Sequence, residues 1–337
     1  MRYLCNPNTD PYFNMALDEY ALECLALDEP VFYLWRNSPS VIVGLNQNVA
    51  AEVNLDYLRE HDIALVRRVT GGGAVYHDLG NLNYTIVGRS ADLQRDYPEY
   101  AQIMLRALLA LGVEATVSGR NDILVSGRKV SGYAKRVYKD RLMVHGTLMF
   151  DVDLDVLERA LDAPSGKLAV KGVASVRSRV MNLCACLPDV CDINDFRDRL
   201  ECYLSRGYAD AELLLTDEDL QKIAHVARTK FASPAWIYGN RERVICTDGI
   251  AEIPTQTIHR TKRLACGTVE VSLEVSNGYI ASCRLGGDFI GNLPASGIER
   301  ALVGVRYERE ALRQRLLPMG VHNYFDGVVT DEFLEFL

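Results

Sequence analysis

The stretch "DPYFNMALDEYAL" places Phe13, Leu17, Tyr20 and Cys24 at helical spacing behind Asp10 and Pro11. Asp10 has the side chain of a good N-cap, and Pro11 suits a first turn whose N–H groups have no intrahelical partner. The pattern therefore predicts a helix opening at residue 11. Short apolar runs follow: "VFYLWR" and "SVIVG" read as strands, and Asn54 as the cap of a short helix. "IALVRR" reads as a strand running into three glycines, with "AVYH" and "LNYTIV" as strands beyond them. The pattern then predicts a helix near 98–111, strands at 114–117, 122–125 and 142–150, and helices near 152–161, 192–206 and 216–230. Strands and helices do not alternate regularly as in a doubly wound sheet, so the expected fold class is α+β.

The pattern changes after the aromatic, turn-rich "FASPAWIYGNRERV", which sets an expected boundary between domains 1–245 and 246–337. Beyond it "TVEVSLEV" alternates strictly, with Val269, Val271, Leu273 and Val275 on one face. Ser276, Asn277 and Gly278 supply a turn into a second strand, "YIASCRL". Ser296 and Glu299 make a capping-box pattern at the start of a helix. A small α+β domain with a sheet buried on one side is expected here.

At 337 residues the chain has room for two such domains. A net charge of −8 argues against a general nucleic-acid binder, which needs cationic surface to displace counterions. "MRYLCNPNTD" lacks the basic-then-apolar build of a signal peptide, and no apolar run approaches the roughly 20 residues of a membrane helix. A cytoplasmic protein without a membrane partner is expected. Nine cysteines at irregular spacing suit a compartment where thiols stay reduced. "CACLPDVC" offers Cys184, Cys186 and Cys191 without a fourth zinc ligand at a recognisable spacing.

Charge is uneven, and this bears on the chemistry. Between Arg120 and Arg141 seven basic residues face two acidic ones, Asp122 and Asp140. The segment is either a solvated face or a binding surface for a phosphate or carboxylate. Within it Lys129 lies among small and apolar residues between Gly127 and Gly132, placed either to meet an anion or to snorkel to the surface. In "RRVTGGGAVYHD" the glycines lead into a strand, so neither a Walker loop nor a dinucleotide fingerprint is present. An ordinary turn and a backbone-amide nest for an anion both remain open. His145, in "HGTLMF", is either structural or catalytic. No G-x-S-x-G elbow or H-E-x-x-H helix occurs.

Taken together and in order, these motifs resemble the lipoate–protein ligase A family over nearly the whole chain. The likeness rests on "DPYFNMALDEYAL", "LWRNSPSVIVGLNQN", "RRVTGGGAVYHDLGNLNYTIV", "GRNDILVSGRKVSGYA", "HGTLMFDVDL" and "KGVASVRSRVMNL". It implies a mixed-sheet catalytic domain of the biotin/lipoate ligase type, related to class II synthetases, and a small accessory domain. It also implies a two-step reaction: lipoate attacks ATP to give lipoyl-AMP and pyrophosphate, and a lysine of an acceptor lipoyl domain or glycine-cleavage H protein then takes the lipoyl group. By family position Lys129 is the central cation and Arg68 helps hold the nucleotide. Gly71, Gly72, Gly73, Ala74, Val75 and Tyr76 line the adenylate, His145 lies beside it, and Asp122 is placed for Mg²⁺.

The resemblance leaves rivals: an octanoyl or lipoyl transferase of the same fold, and a non-catalytic paralogue that binds lipoyl domains. A thioester route needs a cysteine, and none lies between Cys24 and Cys184. Tyr133 stands where the family commonly has a smaller or amide side chain, which bears on acyl-pocket shape and the choice between lipoate and octanoate.

Overall fold

The computed structural model describes residues 2–89, 97–119, 121–161, 179–205, 212–239 and 255–337. They divide into two compact units: Met1–Val43, Val49–Val69 and Ala74–Ile237, and then Gly44–Asn48, Thr70–Gly73 and Tyr238–Leu337. The boundary expected near 245 falls outside the described residues, as do Arg120 and the Lys171–Ser178 part of the "KGVASVRSRVMNL" motif.

In chain order the first unit has β1 (Arg2–Leu4), α1 (Pro11–Glu23), β2 (Val31–Trp35), β3 (Ser40–Val43), α2 (Leu55–Glu60), β4 (Ala64–Arg67), β5 (Val75–His77) and β6 (Asn81–Arg89). It continues with α3 (Tyr97–Ala110), β7 (Thr116–Ser118), β8 (Asp122–Val125), β9 (Arg128–Tyr138), β10 (Arg141–Met149), α4 (Leu154–Ala160), α5 (Ile193–Leu204), β11 (Glu212–Leu213) and α6 (Asp217–Val226). A mixed sheet runs β11-β1-β2-β6-β10-β9-β8-β7, and a small one runs β4-β3-β5. The architecture is the expected mixed-sheet α+β type.

The expected caps form: Asp10 accepts from the Tyr12 N–H at 2.9 Å and Asn54 from the Tyr57 N–H at 3.1 Å. The buried stripe of α1 differs from expectation. Met15, Leu17, Ala21 and Leu22 are buried together with Asn14 and Asp18, whereas Cys24 is exposed and Phe13 and Tyr20 are half-buried. The reason lies in what the helix meets, a sheet face that is apolar at one end and polar further along.

Cross-strand partners share a face and alternate residues switch it, so the register assigns both faces of the large sheet. Phe32, Leu34, Leu82, Tyr84, Ile86, Leu142, Val144 and Leu148 form one apolar cluster with Met104, Ala107 and Leu108 of α3 and Phe196, Leu200 and Leu204 of α5. Tyr133 belongs to this cluster. It pairs with Gly146, where a Cβ would come within 2.5 Å of the Tyr84 hydroxyl. On the opposite face Val31, Val87 and Met143 pack under α1. The next rungs on that face are polar: Thr85 opposite His145, then Asn83 opposite Thr147.

The second unit is built on the antiparallel sheet β12 (Thr255–Leu264), β13 (Gly267–Ser276) and β14 (Tyr279–Gly287), with α7 (Ser296–Leu302), α8 (Arg309–Leu316) and α9 (Thr330–Phe336). Val269, Val271, Leu273 and Val275 are buried against Ile298, Leu302, Leu312, Leu316 and Phe333, as the alternation requires. Asn277 and Gly278 both have positive φ, 53° and 78°, the conformation of a two-residue hairpin turn. The capping box at Ser296 does not form. Ala295 occupies the N-cap without a side-chain bond, and Glu299 instead accepts from the Leu285 N–H of β14 at 2.8 Å. A carboxylate that ties helix to sheet is not available to close its own helix end.

Candidate active site

Lys129 sits at the start of β9, and a β-bulge decides which way it faces. Ile123 pairs with Ser131 and Leu124 with Lys129, leaving Val130 as the extra residue. Without the bulge, alternation would carry Lys129 to the side of Ser131 and Tyr133, the helix-covered face. The extra residue restores it to the face of Asp122 and Gly132. There its ammonium is 2.7 Å from the Asp122 carboxylate, with the two side chains 34% and 38% exposed. The ammonium lies over Gly132, where a Cβ would come 2.8 Å from Nζ. The Lys129 main chain is also used, its carbonyl accepting from the Met181 N–H at 3.0 Å.

His145 lies on the same sheet face, one pleat along from Gly132's rung. Its Nδ1 is 2.6 Å from Asp18 Oδ2. The Tyr33 and Thr85 hydroxyls donate to Asp18 Oδ1 at 2.6 and 2.9 Å, and the Trp35 Nε1–H donates to Thr85 at 2.9 Å. Three strands and a helix thus converge on one buried carboxylate.

His77 ends β5. The Asn37 side-chain amide donates to its Nδ1 at 3.1 Å, and Asn14 donates to Asn37 at 2.9 Å. Its pKa is pushed down to about 3, by burial first and then by the charges of Arg68 and His145. Neutral, with Nδ1 accepting, the ring carries its proton on Nε2, and that atom has no protein partner. The buried Asn81 Oδ1 and Asn83 Nδ2 lack partners as well. Arg68 is buried just beyond β4, with its guanidinium donating to the Ile42 carbonyl at 3.1 Å. Burial and the neighbouring Arg67 lower its pKa to about 10. Tyr76 is buried and Val75 half-buried in β5, and burial raises the Tyr76 phenol well above its usual range.

The histidine has a consequence for stability. Its folded pKa lies below the unfolded value near 6.5, so the unfolded chain binds an extra proton as pH falls through that value. The stability it contributes is complete above about pH 6.5 and lost progressively toward pH 3, at about 1.4 kcal/mol per pH unit. Urea unfolding of the first unit at pH 7 and pH 5 is expected to show His77→Gln losing about 2 kcal/mol less than the unaltered protein over that interval. Equal losses would place the acid sensitivity elsewhere.

The structure brings Lys129 together with Asp122, and it sets Arg68 and His145 close enough to act on His77. Gly71, Gly72 and Gly73 belong to the second unit, and the contacts described for them there are of another kind. The Gly72 N–H donates to the Phe289 carbonyl at 3.1 Å with φ at 93°, and a Cβ on Gly71 would come within 2.4 Å of the same oxygen. A Cβ on Gly73 would meet nothing within 4 Å. Sequence reasoning passed over Asp18, Asn37, Asn81, Asn83 and His77 as site residues. The signal available for two of them was the polar alternation of Asn81, Asn83 and Thr85 through an otherwise apolar strand.

Polar groups buried without partners cost on the order of 1–3 kcal/mol each, and a bound molecule that completes them recovers that cost. The orphaned atoms of His77, Asn81 and Asn83 are therefore suited to a polar small molecule. The comparisons with known proteins agree. The lipoyl protein ligase A/B catalytic domain family matches residues 10–205, and the bacterial lipoate protein ligase C-terminus matches residues 254–337. The chain is 36% identical to lipoate-protein ligase LplJ of Bacillus subtilis over 342 residues, covering all of both. It shares its fold with P. falciparum LipL1 in complex with lipoate, at TM-score 0.72 and 23% identity over 99% of this chain and 97% of that one. A lipoate-protein ligase A bound with ATP is 28% identical at TM-score 0.62, covering 71% of this chain and 98% of its own. The chain belongs to the lipoate–protein ligase family, and its enzymatic class is that of a ligase. Among the described residues no helix is long and apolar enough to cross a membrane.

Proposed function

We propose that this ligase condenses lipoate, or octanoate, with ATP to give an acyl-adenylate and pyrophosphate, and then passes the acyl group to a lysine of an apo lipoyl domain or of a glycine-cleavage H protein. The observation that carries the reading is the bulge-directed placement of the Lys129 ammonium on the polar sheet face, beside Asp122 and one rung from His145. A carboxylate attacking a triphosphate brings two anions together, and a fixed cation at that point stabilises the accumulating charge. Arg68 is held by a backbone carbonyl beside β4 and holds the nucleotide; the backbone of Ala74, Val75 and Tyr76 lines the adenylate. The amides of Gly71 and Gly73 are assigned to the same ligand on the family resemblance. The Gly72 N–H is not a donor for this ligand, since the Phe289 carbonyl takes it at 3.1 Å. The unpartnered Nε2–H of His77 and amide of Asn83 are further donors for it.

Among the described residues no group of three His, Cys, Asp or Glu side chains is arranged to hold a metal. The single carboxylate of Asp122 suits a Mg²⁺ that arrives on the nucleotide, since such ions keep several waters and take one or two carboxylates plus phosphate oxygens. Asp122 would hold it, and the ion would neutralise phosphate charge. A transferase using an enzyme thioester is disfavoured by Cys184, which packs against the helix-covered apolar cluster and whose thiol is pushed up by burial and by Asp151. The deciding measurement is lipoate-dependent exchange of labelled pyrophosphate into ATP with no acceptor protein present. Exchange is expected. Its absence with Mg²⁺ and either lipoate or octanoate would remove the ligase reading in favour of a binding paralogue.

A further inference from the structure

Asp18 is 1% exposed on a helix that buries mostly apolar residues, and a carboxylate at that depth is costly unless its oxygens are satisfied. They are satisfied in a directed way. One oxygen takes the Tyr33 and Thr85 hydroxyls, at 2.6 and 2.9 Å, leaving the other to face His145 Nδ1 at 2.6 Å. With Nδ1 donating, a neutral imidazole keeps its acceptor lone pair on Nε2. This is the geometry by which a carboxylate orients an imidazole as a base. His145 pairs with Ala134, one pleat from Gly132, over which the Lys129 ammonium lies. Diagonal neighbours across an antiparallel pair are roughly 7–8 Å apart, so the imidazole lies within one substrate's reach of that cation.

The two half-reactions differ in their need for a base. A carboxylate attacking phosphorus has no proton to lose, whereas an acceptor lysine, with a pKa near 10.4, arrives as an ammonium and cannot attack until it is deprotonated. We propose that Asp18 is the positioning residue that holds His145 as the base of the transfer half-reaction, an inference that rests on the ligase reading. His145 Nε2 takes one proton from the ammonium, and the imidazolium formed keeps its Nδ1–H on the Asp18 carboxylate. The free amine forms the C–N bond at the acyl carbonyl, the bond from that carbon to the phosphate oxygen breaks, and AMP leaves with the electron pair. The nitrogen's second proton passes to the departing phosphate, and the imidazolium later releases its proton to water.

Other charges face the imidazole. His77 on β5 is held neutral, Arg68 lies beyond β4, and Lys129 is matched by Asp122. Arg136 of β9 is engaged by Glu19 and Glu23 of α1 at 3.9 and 3.4 Å. Among the described residues, Asp18 is the carboxylate bonded to the ring itself.

The test is single-turnover transfer from preformed lipoyl-adenylate to an apo lipoyl domain, measured across pH beside the pyrophosphate exchange. In Asp18→Asn, transfer is expected to fall on the order of 10²-fold, far more than exchange. The pH midpoint of the remaining transfer should move downward, because the imidazolium has lost its carboxylate. Tyr33→Phe keeps the carboxylate but strips one hydrogen bond from it, making it more basic, so its midpoint should move upward. It provides the decision if Asp18→Asn fails to fold. Normal exchange with an unmoved midpoint in the folded variants would overturn this inference alone. Absence of exchange in the unaltered protein would overturn the ligase reading and this inference with it.

Discussion

Replacing Lys129 with alanine is expected to lower lipoate-dependent pyrophosphate exchange by on the order of 10³-fold while leaving the fold intact. The size follows from what a single preorganised donor contributes when charge accumulates in a transition state, and here the donor bears a full charge. The loss has a second component. The variant also leaves the Asp122 carboxylate without the ammonium 2.7 Å away, which removes the fixed cation that balances it in the free protein. The lysine side chain is 34% exposed and makes little of the core, so thermal unfolding should be nearly unchanged. Lys129→Arg is not expected to rescue the reaction. The ammonium fits as a compact point over the bare backbone of Gly132, and a planar guanidinium is longer and wider. Exchange retained within tenfold in Lys129→Ala would remove Lys129 from the centre of the site.

The second large effect separates the three glycines. Gly71→Ala places a Cβ 2.4 Å from the Phe289 carbonyl, a contact that only a backbone shift relieves. A cost of about 1–3 kcal/mol to the second unit is expected, visible as a fall in its unfolding midpoint. Gly73→Ala meets nothing within 4 Å and should unfold like the parent. Its effect, if its amide lines the adenylate, appears in the KM for ATP. Equal midpoints for the two variants would contradict the packing assigned to Gly71. Gly72, with φ at 93°, is strained by any side chain and so reports on neither question cleanly.

Most of the local structure was legible because local chemistry decides it. Asp10 and Asn54 cap their helices as their side chains and positions indicate, and Asn277–Gly278 turns the hairpin because those two residues best tolerate positive φ. The strict alternation of Val269 to Val275 was enough to give a sheet buried on one side. Ser296 and Glu299 show the limit of such reading. A capping box is a local arrangement, and Glu299 is drawn instead to an unpaired N–H on a neighbouring strand. Tyr133, a candidate for shaping the acyl pocket, turns to the helix-covered side because alternation opposite Gly146 places it there.

The sequence by itself determined the class of elements, the one-sided second domain and the candidate cation, since these depend on side-chain pattern and on residue types read in order. It also carried the family, through motifs too long and too well spaced to be accidental. Only the tertiary structure decided that Lys129 faces Asp122, because the direction depends on one unpaired residue in β9, and a bulge leaves no mark in a hydrophobic pattern. The same holds for Asp18. On the helix it falls outside the apolar repeat that defines the element, and its role exists only where strands distant in sequence bring Tyr33, Thr85 and His145 to a single carboxylate.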